Sequence, residues 1–311
     1  MSHSVSPSAK KVHSGALIGI GLMLLGTFMF SVNDVMGKWL VATYSVGQVL
    51  LLRSVAALAI LLPIMRRQKI PLRIPPQPWL HACRILLSTL EVACFYWAVT
   101  YLPLADVMTY YLAGPIYVAA FAVFWLGEKI DTPRIVAIGV GFVGVLIALR
   151  PSPATISLPA MIALAGSMFY SLLMITTRKL RETDDATLVL GQILGSLIFG
   201  IAAVPFGWVN PGWLDLAGLF LLGIVSMAAH ACVNRSLKIA PASVVAPYQY
   251  TLIIWAIVLG YLAFGDIVEF WTLVGAAVIC TAGVALLLLE REAARRGRDA
   301  KDIEDPVLPE A

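Results

Sequence analysis

Apolar runs of 18 residues or more recur along most of the chain, and this feature constrains the fold more than any other. Of the residues, 60% are hydrophobic and 13% are charged, whereas soluble domains have about 45–50% and about 25%. A water-soluble fold of 311 residues cannot bury that much apolar surface, so lipid must be the solvent of most of the chain. Because each helical span takes about 20 residues, no room is left for a separate catalytic or ATP-hydrolysing domain.

Proline clusters and charged clusters divide the apolar runs into ten predicted spans. Four prolines fall between residues 71 and 78, and further breaks lie at 150–153 and 210–212. The predicted spans are 15–40, 46–65, 78–99, 103–126, 132–150, 157–178, 187–208, 213–235, 241–264 and 268–289. The sequence therefore predicts an all-α membrane protein with ten transmembrane helices.

Lysine and arginine are distributed asymmetrically between the two predicted faces of the membrane. If the N-terminus is cytoplasmic, all but four of the 22 basic residues fall in cytoplasmic loops or tails, and the four are Lys38, Arg53, Arg84 and Arg150. By the positive-inside rule, both termini are then cytoplasmic and the protein lies in the cytoplasmic (inner) membrane. Residues 1–14 and 290–311 are the predicted tails. The second tail is rich in charge and is expected to be disordered and solvated.

The chain repeats itself with an offset of 138 residues. This shift aligns residues 101–107 with 239–245 and places Pro103 on Pro241, Tyr110 on Tyr248 and Glu128 on Asp266. Residues 15–150 and 156–289 then hold five spans each. Because five is odd, the second half crosses the membrane in the opposite sense. Two inverted five-helix repeats around a central cavity are typical of secondary transporters, whose substrate site lies where the repeats meet.

The residues inside the matched segments resemble a known repeat. The first copy has Arg84, Tyr96, Ala98, Leu102-Pro-Leu104, Pro115, Leu126-Gly-Glu128, Gly139 and Gly144, and the second has Ala240-Pro-Ala-Ser-Val244, Gly260, Phe264-Gly-Asp266, Gly275 and Gly283. Together they resemble the EamA-type repeat of the drug/metabolite transporter superfamily. The resemblance implies a ten-span secondary transporter, and many members are exporters. The chain departs from the pattern at Asp266, where the family usually has Glu, and at Ile253, which aligns with Pro115. The overall appearance is most similar to aromatic and neutral amino acid exporters.

Ionisable residues inside the predicted spans are candidates for function because each needs a partner or water there. In the third span, Arg84 and Glu91 share one helical stripe. Glu91 either meets a substrate ammonium group or takes a proton, or it pairs structurally with Arg53 or Lys38. Arg84 either binds a substrate carboxylate or packs. Asp34 and Lys38 are four residues apart and are predicted to form a structural ion pair.

Further candidates come from polar and aromatic residues on the faces of other spans. Packing is the alternative interpretation for each of them. The additional substrate-binding candidates are Tyr110, Tyr117, His230, Asn234, Tyr248, Gln249 and Tyr250, and the gate or hinge candidates are Pro115 and Pro247. Arg53 is a third structural ion-pair candidate, beside Asp34 and Lys38. We expect spans one, three, four, six, eight and nine to line the central cavity.

The chain lacks the motifs of several other functional classes. Its Gly139-Val-Gly-Phe-Val-Gly144 segment lies inside an apolar span and predicts a helix-packing surface, as does the Gly191/Gly195 pair. No Walker A, hydrolase or metalloprotease motif occurs, so we expect no enzyme, cofactor, metal or nucleic-acid partner. The partners expected are a small-molecule substrate and membrane lipid.

We therefore predict a secondary transporter that exports neutral or aromatic amino acids and related metabolites by alternating access. The cargo could instead be a nucleotide-linked metabolite, a vitamin or a cationic drug. A membrane-embedded enzyme or a lipid flippase is the alternative from another class.

Overall fold

The computed structural model describes residues 7–70, 76–114, 116–117, 132–150, 157–180, 182–239 and 246–304. All regular structure in these residues is helical. The α-helices are α1 (Pro7–Val41), α2 (Val46–Arg67), α3 (Pro78–Tyr101), α4 (Leu104–Leu112), α5 (Thr132–Leu149), α6 (Leu158–Lys179), α7 (Asp185–Ala203), α8 (Trp213–Ile239), α9 (Thr251–Phe264) and α10 (Phe270–Glu304). Short 3₁₀ turns follow α7, at Val204–Phe206, and precede α9, at Ala246–Tyr250.

Six of the helices are long and apolar enough to cross a membrane, namely α1, α2, α3, α6, α7 and α8. Shorter apolar segments lie at Ile135–Ala148, Tyr248–Phe264 and Phe270–Ala285. The predicted fourth span, 103–126, is described only as far as Tyr117. The all-helical membrane architecture is therefore confirmed, while the count of ten spans remains a prediction.

Local sequence sets several of the helix boundaries. The Ser45 hydroxyl accepts a hydrogen bond from the Gln48 N–H (3.3 Å) and caps α2, and Ser157 caps α6 in the same way through the Ala160 N–H (3.4 Å). Helix α9 ends at Gly265, which takes a left-handed conformation (φ +67°) that glycine adopts without steric cost. This turn fixes where the next residue, Asp266, lies.

Helix packing follows one rule that relates the two halves of the chain. Helix α1 packs on α8 and α3 packs on α6, so the first helix of each half contacts the third helix of the other. Likewise α2 packs on α7, α4 on α9 and α5 on α10, which joins the second, fourth and fifth helices of each half to their counterparts. Exchanging the halves leaves the pattern unchanged, as expected for two related repeats.

Glycines allow the closest of these approaches. Between α5 and α10, a methyl carbon added at Gly275 would lie 2.7 Å from the Gly144 carbonyl oxygen. The predicted packing role of the glycine-rich segment of span five is thus confirmed at Gly141 and Gly144, but not at Gly139, where an added methyl carbon would meet nothing within 4 Å. Gly195 in α7 likewise faces Ile85 and Thr89 of α3 so closely that a larger residue would overlap them.

Helices extend into both of the segments that the sequence predicts to be tails. Helix α1 begins at Pro7, and α10 continues to Glu304, so the expected disorder of the charged segment after residue 289 is wrong for residues 290–304. The sequence supplies a reason. Oppositely charged residues stand four apart, as in Glu292/Arg296 and Arg298/Asp302, and this spacing stabilises a solvated helix.

Candidate substrate-binding site

A hydrogen-bonded network centred on Arg53 joins both halves of the bundle. Its Nη1 donates to the Tyr96 hydroxyl (2.7 Å) and its Nη2 to the Ser226 hydroxyl (2.9 Å). The Tyr96 hydroxyl donates to Asn33 Oδ1 (3.4 Å), and Asn33 Nδ2 donates to the Leu222 carbonyl (2.9 Å). One side chain of α2 therefore connects α1, α3 and α8. Among the described residues, its guanidinium is held by neutral oxygen atoms and not by a carboxylate.

A recess of about 440 Å³, its open mouth included, lies beside Arg53. Most of this space is open to the outside, and the cavity itself is about 30 Å³, room for about two water molecules in this conformation. Its polar lining residues are Arg53, Ser54, Gln192, Ser196, Ser226 and His230, and its apolar ones are Ala57, Val92, Val189, Ile193, Gly223 and Met227. The lining comes from α2, α3, α7 and α8.

The lining of this recess differs from the one expected for the central cavity, which stays a prediction. Of the six spans expected to line a cavity, only the third and the eighth contribute, as α3 and α8. Helices α2 and α7 were not expected, because Ser54, Gln192 and Ser196 are isolated uncharged residues in strongly apolar stretches. No local pattern distinguishes them from residues that pack. Tyr96 stands in the family pattern, but its bond to Arg53 was not foreseen.

Two carboxylates lie within electrostatic range of Arg53. Asp34 on α1 and Glu91 on α3 interact with the guanidinium and with each other. Asp34 is 9% exposed, and Glu91 is half-buried. In the part of the chain that the structure describes, neither forms an ion pair. The alternative in which Glu91 pairs with Arg53 or Lys38 is therefore not what the structure shows.

Lys38 also lacks the predicted partner. Its Nζ lies 2.5 Å from Asp266 Oδ2 and 4.6 Å from the centre of the Phe264 ring. The prediction of a pair with Asp34 is therefore corrected. Lys38 stands near the end of α1, and the left-handed turn at Gly265 brings Asp266 to it. A partly buried pair between elements is screened less by water and salt than an exposed pair within one helix.

Further polar contacts lie near the same end of α1. The Tyr44 hydroxyl donates to Asp215 Oδ2 (2.6 Å), and this bond raises the pKa of Tyr44 because ionisation would place two negative charges together. Gln48 Nε2 donates to the Val209 carbonyl (2.6 Å), and Gln48 Oε1 accepts from the Val209 N–H (3.0 Å). Each contact joins the first half to the second.

Arg84 lies apart from the recess and is buried. Its Nε donates to the Thr177 hydroxyl (2.9 Å) and its Nη1 to the Leu188 carbonyl (3.0 Å). These bonds fasten α3 to α6 and α7. The geometry favours the packing interpretation of Arg84 over contact with a substrate carboxylate.

His230 is a sequence candidate that does line the recess. Its Nδ1 lies 2.8 Å from the Ser226 carbonyl oxygen, and its ring meets Phe30 edge to face at 4.7 Å between centroids. Both contacts hold the ring in place, so the imidazole presents a fixed surface. Asn234 follows one turn later on α8, and its side chain is outside the described residues.

The tyrosine candidates lie elsewhere. Tyr110 and Tyr117 are buried in the hydrophobic core, where Tyr117 packs on Phe142 with ring centroids 5.3 Å apart. Tyr248, Gln249 and Tyr250 form part of the 3₁₀ turn before α9 and are half-buried. The Tyr250 hydroxyl has no hydrogen-bond partner among the described residues. None of these five residues lines the recess.

The two hinge candidates are only partly described. The backbone of Pro247 lies in the 3₁₀ turn, which agrees with a break in the helix before α9, while its side chain is outside the described residues. Pro115 also lies outside the described residues. The role of both as hinges stays a prediction.

Comparison with known proteins identifies the class of protein. Residues 17–150 and 157–289 each match the EamA-like transporter family. These two segments coincide with the two halves of the chain whose helices pack on each other. The protein is a membrane transporter. It belongs to the EamA-like transporter family, within the drug/metabolite transporter superfamily.

Curated relatives align along nearly their whole length. The S-adenosylmethionine uptake transporter of Rickettsia conorii is 25% identical over 288 residues, covering 92% of this chain and 97% of the relative. The pseudopaline exporter of Pseudomonas aeruginosa is 26% identical over 273 residues, covering 86% and 95%. A crystal structure that is 16% identical superimposes with a TM-score of 0.61 over 90% of this chain and 97% of that chain. The crystal structure supports the fold.

Proposed function

We propose that this protein moves small zwitterionic metabolites, with neutral and aromatic amino acids as the first class, out of the cell by alternating access. The observation that carries the proposal is the charge arrangement around Arg53, which lines the recess, whereas Asp34 and Glu91 lie outside its lining. Arg53 offers one guanidinium held only by neutral groups, and Asp34 and Glu91 offer two carboxylates without an ion pair among the described residues. A zwitterion presents one group of each sign to such a site.

The location of the charges supports a transport role. Arg53 and Glu91 belong to the first repeat, while Ser226 and His230 belong to the second. The candidate site is therefore built where the repeats meet, as in other transporters with internal repeats. A rocking motion of one repeat against the other would change every contact in the Arg53 network at once.

The same charges argue against a phosphorylated cargo. Among the described residues, Arg53 is the only arginine or lysine that lines the recess, whereas phosphate recognition draws on clusters of such residues. A cationic cargo is the second candidate, because two carboxylates, Asp34 and Glu91, interact electrostatically with one guanidinium. One group of relatives is named for uptake of S-adenosylmethionine, an adenosyl derivative of an amino acid.

Relatives are named for both directions of transport, uptake and export. Outward transport therefore rests on the resemblance to amino acid exporters. We further propose that ten spans form two inverted repeats in the cytoplasmic membrane, with both termini cytoplasmic.

Counterflow in proteoliposomes tests the cargo. We expect internal unlabelled L-phenylalanine or L-leucine to drive saturable uptake of the labelled amino acid, and Glu91→Gln to reduce it about tenfold or more. Glu182→Gln, at an exposed residue between α6 and α7, is the matched control and should behave as wild type. Absence of saturable counterflow for every neutral and aromatic amino acid would refute this class. Flux of a sulfonium or quaternary ammonium compound instead would favour the cationic cargo.

A further inference from the structure

Two buried polar groups where α1 meets α9 have no hydrogen-bond partner among the described residues. They are the Ser31 hydroxyl and the Trp255 Nε1, and Ser31 as a whole is only 1% exposed. Ser31 lies near the middle of the membrane-spanning part of α1, Leu17–Val41. An unpaired polar group is costly there because no bulk water can bind it.

Helices α1 and α9 pack side by side and run in the same direction. In one contact between them, the Thr27 and Thr251 hydroxyl oxygens lie 3.1 Å apart. Further along both helices, Lys38 Nζ lies 4.6 Å from the centre of the Phe264 ring. Residue numbers therefore rise together along the pair, and the residues between these two contacts lie beside one another in order.

This order places Ser31 beside Trp255. Ser31 is one turn after Thr27 on α1. Trp255 is one turn after Thr251 on α9, so both follow the same contact on the same faces. The Trp255 ring also meets the ring of Phe28 edge to face, with centroids 5.1 Å apart, and Phe28 is three residues before Ser31. Two separate contacts thus bring the unpaired groups to the same level of the helix pair.

Ser31 does not form the bond that a serine in a helix often forms. Such a serine donates to a carbonyl oxygen three or four residues earlier. Ser88 donates to the Ile85 carbonyl (2.9 Å), and Ser167 donates to the Leu164 carbonyl (2.8 Å). The Ser31 hydroxyl makes no such bond in the described part of the chain, so it remains available to a group outside its own helix.

The related contact in the other half of the bundle, between α6 and α4, is satisfied by the protein itself. The segment Leu164-Ala-Gly-Ser-Met-Phe-Tyr-Ser171 of α6 is similar to Leu24-Leu-Gly-Thr-Phe-Met-Phe-Ser31 of α1. Ser171 therefore corresponds to Ser31. The Ser171 hydroxyl is fully buried and donates to the Gly114 carbonyl (3.1 Å).

The aromatic residue of that contact is paired as well. With the offset of 138 residues, Tyr117 corresponds to Trp255, and the Tyr117 hydroxyl forms a hydrogen bond with the Ser167 side chain. One copy of the contact is closed by its own hydrogen bonds, whereas the other leaves both polar groups unpaired within the described ranges. Because buried polar groups are normally satisfied by protein, water or a ligand, this difference indicates a binding position between α1 and α9.

The chemistry of the two groups defines what they can bind. An indole N–H can only donate a hydrogen bond, whereas a hydroxyl can donate or accept one. Two neighbouring donors therefore suit one acceptor oxygen, and hydrogen bonds to a carboxylate oxygen are stronger than those to a neutral oxygen. A cationic group would find no acceptor at Trp255.

We propose that Ser31 and Trp255 form a subsite that binds an acceptor oxygen of the cargo through two hydrogen bonds. The cargo itself rests on the proposed function, and in an amino acid this oxygen belongs to the carboxylate. Helices α1 and α9 belong to different repeats, so a rocking motion of the repeats opens and closes the contact that holds the subsite. Transporters with internal repeats bind substrate near the middle of the membrane, where the repeats meet.

Thermal stability without cargo separates this role from packing. Ser31→Ala removes a hydroxyl that has no described partner, so the unfolding midpoint should equal or exceed that of wild type. Ser171→Ala is the matched control, because it removes the hydroxyl that binds the Gly114 carbonyl, and its midpoint should fall. A loss in Ser31→Ala as large as that in Ser171→Ala would overturn the proposal, since Ser31 would then be paired inside the protein.

Transport in proteoliposomes tests the acceptor oxygen. Ser31→Ala and Trp255→Phe should each raise the KM of L-phenylalanine about tenfold, as expected for the loss of one hydrogen bond to a charged group. Phenethylamine has the same ring and ammonium group but no carboxylate, so its inhibition constant should change less than about twofold. Ser171→Ala should leave the ratio of the two constants as in wild type. Equal rises for both compounds would overturn the subsite.

Magnetic resonance of the indole groups gives a readout that packing alone would not change. In protein labelled with [15N]tryptophan, the Trp255 Nε1–H signal is the one that Trp255→Phe removes. L-phenylalanine should move this signal downfield in wild type and move it less in Ser31→Ala, whereas phenethylamine should leave it in place. Transport of L-phenylalanine without any movement of the signal would overturn the subsite.

A second probe distinguishes failure of the subsite from failure of the proposed cargo. S-adenosylmethionine carries the same ammonium and carboxylate groups as an amino acid. If L-phenylalanine is not transported but S-adenosylmethionine moves the Trp255 signal, the subsite is supported and the amino acid cargo is refuted. A signal that neither compound moves would overturn the subsite.

Discussion

Lys38 Nζ lies 2.5 Å from Asp266 Oδ2 and thereby joins the first helix of the first repeat to the turn between the last two helices of the second. The two side chains are only 15% and 19% exposed. Tyr44 and Gln48 form further bonds between the repeats near the same end of α1. We interpret this end, which is predicted to be extracellular, as a closed side of the carrier.

The Lys38–Asp266 pair should help to keep that side closed. Lys38→Met leaves the Asp266 carboxylate partly buried without its partner, and we expect a loss of about 1–3 kcal/mol of stability. The charge exchange Lys38→Asp with Asp266→Lys should recover at least half of it. Thermal denaturation in detergent, read as a double-mutant cycle, measures the coupling.

A matched control is the pair of Arg150 and Glu269, whose side chains are 45% and 61% exposed. Because water screens an exposed pair, Arg150→Gln should cost about 1 kcal/mol or less. Equal losses for Lys38→Met and Arg150→Gln would contradict a special role for the Lys38 pair.

Arg84 should behave as a packing residue. Arg84→Lys cannot reproduce both the bond to Thr177 and the bond to the Leu188 carbonyl, so we expect a loss of about 1–3 kcal/mol of stability. The KM of whatever cargo is transported should change less than twofold, because Arg84 does not line the recess. A large rise in KM at unchanged stability would instead place Arg84 in contact with substrate.

Two glycines of the closely packed α5–α10 pair should respond to alanine substitution with opposite changes in stability. Gly275→Ala would place a methyl carbon 2.7 Å from the Gly144 carbonyl oxygen, and we expect a destabilisation of about 1–3 kcal/mol from overpacking. At Gly139 an added methyl carbon meets nothing within 4 Å. Gly139→Ala should therefore be neutral or stabilising, by up to about 1 kcal/mol. The thermal unfolding midpoints of the two variants, measured in one detergent, test this prediction. Equal losses of stability would contradict the packing described for α5 and α10.

The positions of lysine and arginine predict that both tails are cytoplasmic. Epitope tags at either end should resist protease in intact spheroplasts and be digested after lysis. A tag between Asn210 and Trp213, in the loop before α8, is predicted to be extracellular and should be digested already in intact spheroplasts. Digestion of only one terminal tag in intact spheroplasts would contradict an even number of spans.

Sequence reasoning reached the features that depend on local composition. Spans follow from apolar length, and close helix approaches follow from small residues such as Gly144 and Gly195. It failed for side-chain contacts between residues that are far apart in the sequence and meet only in the folded structure. Lys38 binds a residue 228 positions away, although Asp34 stands one turn from it. The same reason explains Gln192 and Ser196, which become part of a recess only because α7 packs on α2 and α3.

The exchanged packing of the halves has a consequence for biogenesis. Since α1, α2, α3 and α5 each find a principal partner in the other half, the first 150 residues leave the ribosome with those faces uncovered. These helix faces contact lipid until the helices of the second half are inserted. A chain truncated after Leu149 would find matching surfaces only in another copy of itself, and quality-control proteases would meet it in that unfinished form.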